Sequence, residues 1–146
     1  MNQEQELFTI LSSMILNKVY CRWENCPLKF KDSLFRVQGI QLLDSGGYML
    51  LLECMDDLAG RFITYKISEI KPFLYPMSSM TEEQKNQWFN AINHYDKEGN
   101  PILTSIESIN WLNTNHFDYM GLIEKGIALE ATIEIYTKCF TKNERD

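Results

Sequence analysis

The sequence predicts a single α+β domain: an N-terminal helix, an antiparallel β meander, two further helices and a C-terminal strand. Three observations predict it. Leu7, Ile10, Leu11, Met14 and Ile15 recur at helical spacing, which draws one apolar stripe along a helix. Three strand-like runs between residues 34 and 67 are joined by short turn sequences, the pattern of a meander. Its closure stays open between a twisted sheet and a small, partly open barrel. Thr81 with Gln84 and Thr104 with Glu107 have capping-box spacing, so each pair opens a later helix.

The first helix covers residues 3–17, with Glu4 and Glu6 in its first turn, where the helix dipole favours acids. Its polar face lacks the Lys and Arg that anionic lipid would call for, so it reads as a helix packed on a core. Val19 to Trp23 alternates weakly as a short strand that Asn25, Cys26 and Pro27 break. Leu34 to Leu43 is the next strand, with Gly39 marking a bulge. Asp44 to Gly47 turns the chain into the return strand Tyr48 to Cys54. Asp56 to Gly60 is a second turn before the strand Arg61 to Ile67.

Ser68 to Leu74 reads as one helical turn, cut by Pro72 and closed by Pro76. A helix from Glu82 to Tyr95 follows, with Trp88, Ile92 and Tyr95 on its apolar side, and Asp96 to Pro101 ends it as a solvated loop. Ile106, Ile109 and Leu112 stripe the third helix, which stops near Asn113, Thr114 and Asn115. His116 to Gly121 is a turn-rich connection, and Gly121 and Gly126 bracket a single helical turn or tight loop. Ile127, Leu129, Ala131, Ile133 and Ile135 then alternate with polar neighbours, predicting a ten-residue strand to Tyr136 with one buried face. Residues 137–146 are a tail. No internal repeat, low-complexity tract or linker divides the chain, so 1–146 reads as one domain.

Composition narrows the function classes. At 45% hydrophobic and 12% aromatic residues, the chain can build a core without staples. The cysteines at 21, 26, 54 and 139 form no C-x-x-C pair; their even count allows two disulfides, but reduced, mostly buried thiols suit a domain of this size. A net charge of −6 argues against phosphate neutralisation as the main binding mode. The acids are spread as singles and pairs and show no phosphate spacing on one face, which leaves a DNA mimic as a minor alternative. Residues 1–16 start acidic rather than basic, and no apolar run reaches the roughly 18 residues needed to span a bilayer. These features predict a cytoplasmic protein with no membrane partner.

Chemistry-bearing residues are few. His116 beside Asp118 is the one pair with a catalytic look, an imidazole with a carboxylate to orient it; a hydrolase using them would need a cysteine or water as well. No nucleophile motif stands near, and His94 reads as a helix-end residue, so no catalytic residue is assigned. Cys21 and Cys26 form one loose pair where structural zinc usually shows two tight ones, so neither metal nor cofactor is expected. Gly46-Gly47 is a hairpin turn rather than a phosphate loop. Tyr65, Phe73 and Tyr75 near Arg61, Lys66 and Lys71 make one modest basic–aromatic cluster, the basis for a single-strand-binding alternative.

Two runs are distinctive as text: KPFLYPMSSMTEEQ at Lys71–Gln84 and WLNTNHFDYMGLIEKGIALEA at Trp111–Ala131. Together they resemble a group of small uncharacterised proteins of phages and integrated elements of Bacteroides-type bacteria, with the pattern KPxLxPMSSMTxE followed by WLNxxHFDYxGLIxxGxAxEA. The resemblance covers roughly a quarter of the chain and implies an origin, in the cytoplasm of a bacterial host, without implying a mechanism. Met120 stands where the group carries a basic residue, which argues against an anion-gripping turn.

These readings lead to a non-enzymatic accessory protein that binds a host or phage protein. The expected contact surface is the turn His116–Gly121 with the segment Lys71–Ser79, and specifically His116, Phe117, Asp118, Tyr119, Lys71, Phe73 and Tyr75. Aromatic, irregular segments on a rigid scaffold commonly carry recognition.

Overall fold

The structure, a computed structural model, describes residues 2–26, 32–55 and 60–136. Helix α1 (Gln3–Met14) leads into strand β1 (Tyr20–Trp23), then the antiparallel strands β2 (Phe35–Leu42), β3 (Tyr48–Cys54) and β4 (Arg61–Thr64). Strand β5 (Ile70–Pro76) follows, then helices α2 (Glu82–Ala91) and α3 (Ile106–Thr114) and the two-residue strands β6 (Phe117–Asp118) and β7 (Leu129–Glu130). Hydrogen-bonded neighbours run β4-β3-β2-β1-β5-β6, and β7 also pairs β5. The architecture is the expected α+β mixture with an open sheet, not a barrel. No helix among the described residues is long and apolar enough to cross a membrane.

The meander forms as the alternation dictates. Phe35, Val37, Leu50 and Leu52 face inward and are buried, while Met49, Leu51 and Arg61 face out. The register between β2 and β3 slips between Val37 and Gly39, so the bulge falls at Gln38, beside the expected glycine. Helix α1 starts with a capping box of Asn2 and Gln5 and lays Leu7, Ile10, Leu11 and Met14 on the main core.

Strand β5 replaces the helical turn expected over Ser68–Leu74; only Ile67–Glu69 coil, immediately before it. Edge geometry explains how a strand holds Pro72 and Pro76. The Glu24 N–H donates to the Glu69 carbonyl, which sets the phase of the β1–β5 ladder: Lys71 and Phe73 aim their backbone groups at β1, and Pro72, Leu74 and Pro76 aim away. The missing proline N–H groups therefore cost no ladder bond with β1. On the outward edge the Leu74 carbonyl accepts from the Ala131 N–H at 2.7 Å, which is where β7 docks. On the β1 edge, beyond the end of β1, the Tyr75 N–H donates to the His116 carbonyl at 2.8 Å, which is where β6 docks.

The same geometry corrects the expected ten-residue strand Ile127–Tyr136. Between Pro72 and Pro76 only Leu74 presents both a donor and an acceptor to that edge, so pairing stops at Leu129–Glu130. Residues 133–136 coil into a helical turn instead, leaving Ile133 exposed. Helix α2 is likewise shorter than expected, ending at Ala91 with the Ile92 N–H closing onto Phe89; Trp88 and Ile92 are buried but Tyr95 lies outside the helix, exposed. Helix α3 is capped by Ser105 rather than Thr104: the Ser105 hydroxyl accepts from the Ser108 N–H, and Ile106 is exposed while Leu112 is buried. Of the sequence expectations, Pro27, most of the Asp56–Gly60 turn, Cys139 and the tail 137–146 lie outside the described residues.

Trp88, Ile92, Leu112 and Phe117 form a second core where α2 and α3 pack on β6. The Trp88 indole N–H donates to the buried Ser108 hydroxyl at 2.9 Å, which itself donates to the Leu103 carbonyl, so the polar atoms inside this core are matched.

Candidate functional site

The pairing of β5 with β6 sets Tyr75 against Phe117 and Pro76 against Asp118. It therefore joins the two distinctive runs, which residues 85–110 separate in the chain, into one junction. Each predicted contact residue can be followed into it.

His116 is buried, 8% exposed, with φ at 61°. The described non-glycine residues in the left-handed region are His116 and Lys18, and His116 Nε2 lies 2.6 Å from the carbonyl of Asn17, the residue before Lys18. With a carbonyl as its partner, Nε2 carries the proton and donates. The imidazole is stacked on Tyr136. Burial pushes its pKa down to about 4, against a smaller upward pull from the Asn17 carbonyl, so the ring is neutral at pH 7.

Asp118, also buried, accepts from the Leu122 N–H at 2.8 Å and the Ile123 N–H at 2.9 Å, one amide on each carboxylate oxygen. It caps the turn Leu122–Gly126 just as a side chain caps a helix start. Lys125 of that turn then reaches Glu6 on α1 at 2.7 Å. Phe117 is buried in the second core, its ring stacked on Trp111 at 5.8 Å. Tyr119 is half-buried, its hydroxyl donating to Asn113 Oδ1 at 2.7 Å, and burial raises its pKa.

On the β5 side, Phe73 is buried beneath the Arg22 guanidinium, 5.6 Å from the ring centroid. Lys71 pairs with Glu24 at 2.8 Å. Tyr75 is half-exposed, its ring between those of Phe117 and Tyr136. The predicted contact residues thus divide: His116, Phe117, Asp118 and Phe73 hold the junction together from inside, and Tyr75, Tyr119 and Lys71 reach its surface.

The imidazole and the carboxylate are each committed to backbone groups, so the structure does not assemble the His116–Asp118 pair a hydrolase would use. An open concavity of ≈ 540 Å³ lies elsewhere, lined by Asn2, Glu4, Leu7, Ser68, Lys71 and Gly126. Among the described residues no three His, Cys, Asp or Glu side chains stand close enough to hold a metal ion. Cys21, Cys26 and Cys54 are free thiols; Cys21 is fully buried, which pushes its pKa up. His94 pairs with Glu107 at 2.8 Å, tying the end of α2 to the start of α3. The basic–aromatic cluster comes apart: Arg61 and Tyr65 belong to the β4 side of the sheet, and Phe73 and Tyr75 lie on β5, with three strands between.

Sequence reasoning missed Tyr136. Its hydroxyl donates to the Phe73 carbonyl at 2.6 Å and accepts from the Tyr20 N–H at 3.4 Å. Tyr20 and Phe73 are the next pair in the β1–β5 ladder, so the phenol fills the gap where β1 ends and β6 begins. Its place at the end of an alternating run carried no signal of this.

No family model, curated protein or solved structure matches this chain.

Proposed function

We propose that the chain is a cytoplasmic accessory protein of a phage or mobile element that works by binding another protein, host or phage, through the surface of the β5–β6 junction. One observation carries the reading. The junction gathers partly exposed Tyr75, Met77, Met80, Trp111 and Tyr119 around the second core, a surface of aromatic and methionine side chains fixed on buried supports. Such residues are enriched in protein–protein interfaces: tyrosine and tryptophan offer area at low entropic cost, and methionine adapts to the partner's shape. The resemblance of the two runs to phage and mobile-element proteins supports the same reading, because both runs contribute to this one surface.

The test uses Met77→Glu with Met80→Glu, changes that put carboxylates on the surface without touching buried hydrogen bonds. Immobilised wild-type protein should retain a specific protein from bacterial host lysate, and the purified captured protein should bind wild type directly. The doubly substituted chain should remain folded at the temperature of the assay and lose that binding at least tenfold. Equal binding by both chains would remove this surface from the proposal.

A further inference from the structure

We propose that the free edge of β4 pairs with the same edge of a second copy of this chain, continuing the sheet across a two-fold axis at Ile63. Among the described residues β4 has β3 as its strand partner and lies at the end of the sheet. The Cys54 N–H donates to the Gly60 carbonyl, which sets the phase of the β3–β4 ladder. Phe62 and Thr64 then bond to β3, while Arg61 and Ile63 turn their N–H and C=O groups to the open side. Side chains follow the same parity. Arg61, Ile63 and Tyr65 stand on the outer face, Ile63 54% and Tyr65 64% exposed, whereas Thr64 is buried.

An exposed edge with an apolar side chain at its centre is a template for another strand. The sequence around Ile63 specifies which one. In an antiparallel pair about a two-fold axis, Ile63 faces Ile63 of the second copy, and Arg61 faces Tyr65 of the second copy. Arg61 and Ile63 are positions whose backbone groups point outward, so hydrogen-bonding positions meet at the axis, and Tyr65, on the same parity one residue past the end of β4, comes opposite Arg61. On the outer face, Leu51 and Ile63 of the two copies make one apolar row across the joined sheet. On either side of it, each Arg61 stands next to Glu53 of its own β3, whose carboxylate pairs with Arg36 of β2, and is left to meet the Tyr65 ring of the other copy. A strand of arbitrary sequence lacks this match; a second copy supplies it twice. The proposal concerns a different face from the β5–β6 junction and stands independently of it.

Sedimentation or light scattering across a dilution series should give a mass rising from 17.2 kDa towards twice that value. Tyr65→Arg sets two like charges opposite each other at both ends of the pairing, and should weaken the dimer about tenfold without lowering the unfolding temperature. Adding Arg61→Tyr to that variant recreates both cation–aromatic pairs in exchanged positions and should restore the dimer. A wild-type chain that stays at 17.2 kDa at every concentration overturns the proposal. So does a dimer indifferent to Tyr65→Arg, or one that the second substitution fails to restore.

Discussion

The imidazole of His116 lies nearly flat on the ring of Tyr136, centroids 3.9 Å apart and planes 17° from parallel. One member of this pair bonds the Asn17 carbonyl at the end of the first helical segment, and the other bonds across the β1–β5 gap. Two backbone irregularities, the left-handed residue at 116 and the interrupted ladder at Tyr20 and Phe73, are therefore closed by side chains touching each other. The junction proposed as a binding surface rests on this pair.

Acid should loosen it. The folded pKa of His116 is lowered to about 4 from an ordinary 6.5, so between those values the unfolded chain binds a proton that the folded chain resists. The stability this group contributes should be full above pH 6.5, fall as the pH drops through that window and level off below about 4. The loss attributable to this one group is on the order of 3 kcal/mol. Urea unfolding at a series of pH values should show it, and His116→Asn, which suits the left-handed backbone, should flatten the slope between pH 6.5 and 4. An unchanged slope in that variant would assign the acid sensitivity to other groups.

Tyr136→Phe keeps the stacking ring and removes only the hydroxyl. The Phe73 carbonyl and the Tyr20 N–H then lose their shared partner inside the sheet. The expected cost is about 1–3 kcal/mol, the penalty for stranding buried polar groups, read as a lower urea midpoint at an unchanged m-value. Backbone amide exchange at Tyr20 should accelerate in the same variant.

Thr81→Ala tests a feature legible from sequence alone. The Thr81 hydroxyl accepts from the Gln84 N–H at 3.1 Å, and the Gln84 side chain accepts from the Thr81 N–H at 2.9 Å. Losing this cap should cost about 1 kcal/mol, with fraying confined to the first turn of α2. Thr104→Ala should cost almost nothing, because Ser105 caps α3.

That contrast shows where local pattern was enough and where it failed. The helix α1, the hairpin strands and the Thr81 cap follow from spacing within a dozen residues, and the structure repeats them. Strand β5 was hidden because two prolines in seven residues read as a strand breaker; only the edge geometry, with Pro72 and Pro76 both turned away from β1, makes them tolerable. The long C-terminal strand failed for the complementary reason. Its alternation is genuine, but strand length is decided by what the neighbouring edge can bond, and one residue, Leu74, is all that edge presents in full. At the junction, composition marked the right segments without separating supports from surface. His116 and Asp118 look like chemistry in a string of letters, and the amides and carbonyls that claim them are set by tertiary contacts.

Asp118 gives the sharpest separation between a supporting and a contacting role. Its two carboxylate oxygens accept the amides of Leu122 and Ile123, and Leu122 is fully buried in the main core. Asp118→Ala leaves two N–H groups without partners and should cost about 2–3 kcal/mol. Asp118→Asn keeps one acceptor oxygen and should cost roughly half as much. If Asp118 acts only through the turn it caps, both variants should bind the junction's partner with wild-type affinity at temperatures where they are folded, whereas a residue in contact with the partner would lose affinity in proportion to the charge removed. Measuring unfolding and binding on the same two variants distinguishes these cases: affinity that falls in the fully folded Asn variant would place Asp118 at the interface, against the reading that it supports the interface from inside.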